Sequence, residues 1–85
     1  MVNNKFNNNN ILQLWVVEAI KSLGGKGRLV DVAKVIWTQH HADLEAMGDH
    51  FYTWQYDMRW SATRLRKLGI LKDTSESQKG LWELK

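Results

Sequence analysis

A mainly helical fold with a small β-hairpin, of the α+β type, is predicted by three features of the 85-residue sequence. Three stretches space their apolar residues as one side of a helix does, glycines stand where those stretches should stop, and the last residues switch to a period of two. Proline is absent, so nothing in the chain breaks a helix from within.

Met1 to Asn10 holds six Asn and Lys5 with little apolar matter, and reads as a flexible arm ahead of a domain spanning residues 11–85. Asn10 is placed as the cap of a first helix, Ile11 to Leu23, with Gln13 reaching back to it and Leu12, Trp15, Val16, Ala19, Ile20 and Leu23 on one stripe. Gly24-Gly25-Lys26-Gly27 ends that helix, and Arg28 to Val30 either adds a short strand or enters the second helix. The second helix is expected over Val30 to His40, its stripe formed by Leu29, Val32, Ala33, Ile36 and Trp37 with Val35 beside it. His41 to His50 is polar and is assigned one helical turn, Asp43 to Met47, and a loop in which Asp49 caps the third helix. That helix, Phe51 to Leu68, turns Trp54, Met58, Ser61, Ala62, Leu65 and Leu68 to the core and stops at Gly69. Ile70 to Asp73 and Gly80 to Leu84 then form a hairpin around a polar loop, 74–79, with Trp82 and Leu84 on its buried side.

The order helix, strand, helix, helix, strand, loop, strand is that of a winged helix-turn-helix, in which the third helix and the hairpin loop, the wing, share one binding edge. A plain three-helix bundle would leave Trp82 and Leu84 without a role.

Composition narrows the function. Cysteine is absent, which excludes disulfides and thiolate metal sites and fits a reducing compartment. No secretory signal or membrane span is read; the most apolar run, Ile11 to Ile20, is interrupted by Gln13 and Glu18, so a cytoplasmic chain without a membrane partner is expected. No catalytic motif is found: no H-E-x-x-H, no glycine-rich phosphate loop between strand and helix, no Gly-x-Ser-x-Gly. His40 and His41, near Asp43 and Glu45, sit about 100° apart on a helix and cannot easily reach one ion, so neither metal, cofactor nor enzymatic activity is expected.

The far side of the third helix is the unusual feature. Tyr52, Tyr56, Arg59, Trp60, Thr63, Arg66 and Lys67 stand where a surface helix ordinarily carries Glu, Lys and Gln. Net charge is only +3, yet five cations and no acid lie between Arg59 and Lys72, whereas four acids and no Lys or Arg lie between His40 and Met58. The helix dipole alone accounts for acids before and bases after a helix; double-stranded DNA accounts for the aromatics as well. On the DNA reading, Tyr52, Thr53, Gln55, Tyr56 and Arg59 meet base edges, since Gln pairs with adenine, Arg with guanine, and Thr or an aromatic with the thymine methyl. Thr63, Arg66, Lys67 and the wing residues Ser75, Ser77, Gln78 and Lys79 then face the backbone, and Lys5 with the Asn run could follow a minor groove. Asp49 and Asp57 would repel phosphates unless engaged in capping or with Arg64. Tyr56 and Trp60 are either half-buried against the second helix or the arm, or exposed; if exposed, with Arg59 they equally suit an anchor for protein contact.

The segment GDHFYTWQYDMRWSATRLRKLGIL with the closing KGLWEL resembles the winged-helix domain at the N-terminus of Mrr-type and related modification-dependent restriction endonucleases. The matching residues are Arg59-Trp60-Ser61, Leu65-Arg66-Lys67, Gly69-Ile70 and Gly80-Leu81-Trp82; Ser61 replaces the family's Ala and Lys79 its Arg. The likeness spans about Ile11 to Lys85 and implies a duplex-DNA reader with a nuclease domain fused or separate, in a group some of whose members read methylated adenine. Tyr52, Tyr56 and Trp60 would then supply the methyl pocket, and one buried methyl is worth about 0.8 kcal/mol, roughly fourfold in affinity. A transcription regulator would show the same DNA binding.

Overall fold

The computed structural model describes the backbone of residues 8–85 and side chains from Ile11 onward apart from His50. Three helices and a two-stranded antiparallel sheet make up the described residues, in the order α1 (Asn8–Ser22), β1 (Lys26–Arg28), α2 (Leu29–Glu45), α3 (Trp54–Lys67) and β2 (Leu81–Glu83), with a 3₁₀ turn (Gly48–Tyr52) between α2 and α3. Met1–Asn7, most of the arm expected from the sequence, lie outside the described residues. Asn10 does not cap α1, because the helix already includes Asn8. Extending a helix by one more bond offsets the few tenths of a kcal/mol that Asn costs inside it.

Leu12, Val16, Ala19 and Ile20 of α1 meet Trp54, Met58, Ala62 and Leu65 of α3, and α3 packs chiefly on α1. Ala19, Ser61 and Ala62 are small, which lets the two backbones approach closely. Ser61 is buried at no polar cost, since its hydroxyl donates to the Asp57 carbonyl at 3.0 Å. Val32, Ile36 and Leu44 of α2 close the third side.

Several boundaries differ from expectation. The break expected at His40 is present as a non-helical residue (φ −133°, ψ 19°), but the helical piece after it runs straight on to Glu45 instead of being one turn at 43–47, and Leu44 reaches the core. His40 itself stacks on Trp15 with ring centroids 4.1 Å apart, which fixes the bend against α1. Asp49 does not cap α3: the residues from Gly48 to Tyr52 form the 3₁₀ turn, and the helix starts after Thr53. Leu68, assigned to the core stripe, is 56% exposed, and Leu23 and Trp37 lie at the surface edge of theirs. Leu68 is the cap that follows the last helical residue, Lys67.

α1 and α3 end the same way. Gly24 N–H donates to Lys21 O and Gly25 N–H to Ile20 O; Gly69 N–H donates to Arg66 O and Ile70 N–H to Leu65 O. In both, a glycine at positive φ (92° at Gly24, 78° at Gly69) lets the chain reverse and satisfies the last carbonyls. β1 then pairs with β2 in the register Lys26↔Glu83, Gly27↔Trp82, Arg28↔Leu81. The second strand expected over Ile70–Asp73 is reduced to one bridge, Leu71↔Leu84, supported by Lys72 N–H to Glu83 O and Lys85 N–H to Ile70 O. Only three residues separate the helix stop at Gly69 from the turn that begins at Asp73, too few for a longer ladder. Leu71 and Trp82 are buried, so this corner seals the open end of the helices.

Gly69→Ala should therefore lower the unfolding free energy by about 1 to 2 kcal/mol through its backbone alone, because an added Cβ there meets no atom within 4 Å. Chemical denaturation at neutral pH measures it; an unchanged midpoint would contradict the assigned role.

Candidate nucleic-acid interface

With its inner stripe on α1, α3 must present the opposite side outward. Tyr56 is 62% and Trp60 56% exposed, and Gln55, Arg59 and Lys67 are exposed beside them. The two rings meet edge-to-face, centroids 6.3 Å apart, as neighbours one turn apart. Thr63 and Arg66 are half-buried on the same helix, the Thr63 hydroxyl donating to Arg59 O at 3.3 Å. Tyr56 and Trp60 thus keep more than half of their surface open, whereas the alternative in which they rest on the arm lies outside the described residues.

The N-terminal end of this face is built differently from expectation. Tyr52, 83% exposed, is the last residue of the 3₁₀ turn, and Thr53 precedes the helix with its hydroxyl donating to Asp57 Oδ2 at 3.0 Å. Asp57 is thus engaged close to the helix start, where a carboxylate also suits the positive end of the dipole. Arg64, Arg66 and Lys67 occupy the last turn, where cations are favoured for the same reason, so the basic cluster has a structural cause that operates whatever it binds.

The loop at 73–80 is held from inside by carboxylates. Ser75 Oγ donates to Asp73 Oδ2 at 2.9 Å, the Asp73 N–H donates to Glu76 Oε1 at 3.1 Å, and Ser77 Oγ donates to Glu83 Oε1 at 3.3 Å. Lys72 Nζ lies 3.2 Å from Glu83 Oε2. Hydrogen bonds from Ser75, with Arg66 close by, hold the Asp73 carboxyl below its ordinary pKa, and Lys72 does the same for Glu83. The hydroxyl protons of Ser75 and Ser77, assigned to phosphates from the sequence, point to carboxylates instead; Gln78 and Lys79 remain exposed.

The concave feature beside Tyr52 is a groove of about 590 Å³ between α2 and the start of α3, walled by Trp37, Phe51, Tyr52 and Trp54 and bordered by Lys34 and Gln55; Tyr56 and Trp60 are not part of its lining. Trp37 faces Trp54 nearly parallel at 6.3 Å and Phe51 at 6.2 Å, while Phe51 meets Tyr52 edge-on at 5.2 Å. Sequence reasoning missed Lys34, Trp37 and Phe51. The signal was the Val30, Ala33, Lys34, Trp37 spacing, which sets Ala33 and Trp37 of the expected core stripe on one edge of α2 with Val30 and Lys34.

The two adjacent histidines go to separate neighbours, His40 to Trp15 and His41 to Trp37, at 4.1 and 5.6 Å between ring centroids. Among the described residues no cluster of three or more His, Asp or Glu side chains could hold a metal ion, and no helix is long and apolar enough to cross a membrane. Comparison with protein families, curated proteins and solved structures finds no match to this chain.

Arg28 donates to Asp31 at 3.0 Å and lowers that carboxyl's pKa, as happens at Asp73 and Glu83. A depressed folded-state pKa contributes stability above the ordinary carboxylate range, about pH 4, and loses it as the pH falls through the lowered value. Acid should therefore loosen the 73–80 loop below about pH 4. In a carboxyl NMR titration Ser75→Ala should move Asp73 back toward its ordinary value; an unmoved midpoint would refute the assignment of Ser75 as the cause.

Proposed function

We propose that this chain is a winged-helix domain that binds double-stranded DNA in the cytoplasm through the outward face of α3 and the 73–80 loop. It serves as the non-catalytic reader module of a modification-dependent restriction system directed at methylated adenine, with a nuclease domain fused or separate.

The observation that carries this reading is the open face of α3, where exposed Gln55, Tyr56, Arg59 and Trp60 run into the cationic last turn. Gln and Arg offer the paired donors and acceptors that base edges require, and the cations lie where a backbone would pass. The element order supports the winged helix: β1 pairs with β2, Leu71 bridges to Leu84 just past β2, and the 73–80 loop between them is the segment that would serve as the wing. The restriction role rests on the resemblance carried by Arg59-Trp60-Ser61, Leu65-Arg66-Lys67 and Gly80-Leu81-Trp82.

A second reading, contact with another protein, is favoured by the exposed Tyr56–Trp60 pair, since Trp, Tyr and Arg dominate binding hot spots. A dimer that forms through α3 in sedimentation experiments would support it.

Titration of a labelled duplex at increasing salt tests the DNA reading. Affinity should fall linearly on a log–log plot, and Arg66→Ala or Lys67→Ala should each lower the slope by about 1 and weaken all sequences alike. Gln55→Ala should instead alter sequence preference. No binding at about 50 mM salt, or binding indifferent to salt, would overturn the proposal. Adenine-methylated duplexes should bind roughly fourfold tighter per buried methyl; equal affinity would remove the modification-reading part alone.

A further inference from the structure

The groove between α2 and the start of α3 is not needed for reading base edges in a duplex groove, yet four aromatic side chains wall it. Trp54, 6% exposed, serves the core, but Trp37 is 39% and Tyr52 83% exposed, so part of each side chain is left open to an occupant. Flat aromatic walls favour a flat guest, which gains stacking that an aliphatic side chain cannot.

Charge selects among flat or cationic guests. No carboxylate lines the groove, while Lys34 does. An aromatic cage for a methylated ammonium group would be opposed by that lysine, whereas a ring carrying a phosphate is drawn to it. Gln55, also in the lining, brings an amide with both donor and acceptor, which matches the edge of a nucleobase. Tyr52 and Gln55 belong at once to this groove and to the N-terminal end of the α3 face, so the two surfaces are continuous.

We infer that the groove receives a single nucleobase turned out of the duplex lying across α3, stacked on Trp37 and Tyr52, its edge read by Gln55 and its phosphate near Lys34. This rests on the duplex-binding reading and adds a site to it.

The test uses the whole chain and two labelled duplexes of one sequence, one fully paired and one with a purine opposite an abasic position. Unpairing removes most of the work of extrusion, so the second duplex should bind at least about tenfold tighter. Trp37→Ala and Tyr52→Ala should each bring the two duplexes to equal affinity, and Trp37→Ala should do so while salt-dependent binding of the paired duplex persists. Tyr52→Ala keeps the result interpretable should Trp37→Ala fail to fold, because the Tyr52 side chain is almost wholly outside the core. Equal affinity of the wild-type chain for both duplexes, or a gain that survives both substitutions, would overturn the groove site and leave duplex binding standing. Absence of binding to either duplex would overturn both.

Discussion

The seam between α1 and α3 is the constraint on which the other features depend. Leu12, Val16, Ala19 and Ile20 lie against Met58, Ala62 and Leu65 with almost no solvent access. In a domain of this size a few such side chains are a large share of the total, since truncating one buried Leu or Met costs about 2 to 5 kcal/mol against a net stability of about 5 to 15. Fixing that seam fixes the rotation of α3 about its axis. Tyr56 and Trp60, about half a turn from Met58 and Leu65, have nowhere to go but outward, and Arg59 stands at the edge of that side.

Two glycine stops and a small sheet convert the helix pair into a closed unit. The reversal at Gly24 delivers β1, and the reversal at Gly69 delivers Leu71 to its bridge with Leu84, so both helix ends feed the same sheet corner. Trp82, paired in register with Gly27, fills the space beneath. The loop between Asp73 and Gly80 is consequently anchored at both ends, by Ser75 on Asp73 and by Lys72 and Ser77 on Glu83. Its position relative to α3 follows from covalent continuity and these polar contacts, with little apolar burial of its own.

Much of this was legible in the residues. The helical stripes named the core of α1 and α3 because 3.6-residue periodicity is a direct consequence of one-sided burial, and Gly69 marked a stop because positive φ excludes other side chains cheaply. The exposed side of α3 followed by subtraction. What was not legible depended on tertiary contact. Leu44, in a mostly polar run, joins the core where α2 bends at His40, whose ring stacks on Trp15 of α1. Tyr52 and Thr53 were assigned to the first turn of α3, but no sequence feature announced that Phe51 would be drawn toward Trp37 and hold a 3₁₀ turn in place. The hydroxyls of Ser75 and Ser77 could have faced outward; the nearby Asp73 and Glu83 decided otherwise. The aromatic groove was missed because it draws on two elements, and single-element periodicity does not see what lies between them.

Amide and indole NMR of the chain, mapped during titration with a duplex, tests most directly whether the outward side of α3 is a binding surface. The expected result is a contiguous set of perturbed signals from Tyr52, Gln55, Tyr56, Arg59 and Trp60, with the exposed side of α1 around Leu14 unmoved. Perturbations centred on α1 with α3 silent, or none at duplex excess in low salt, would contradict it.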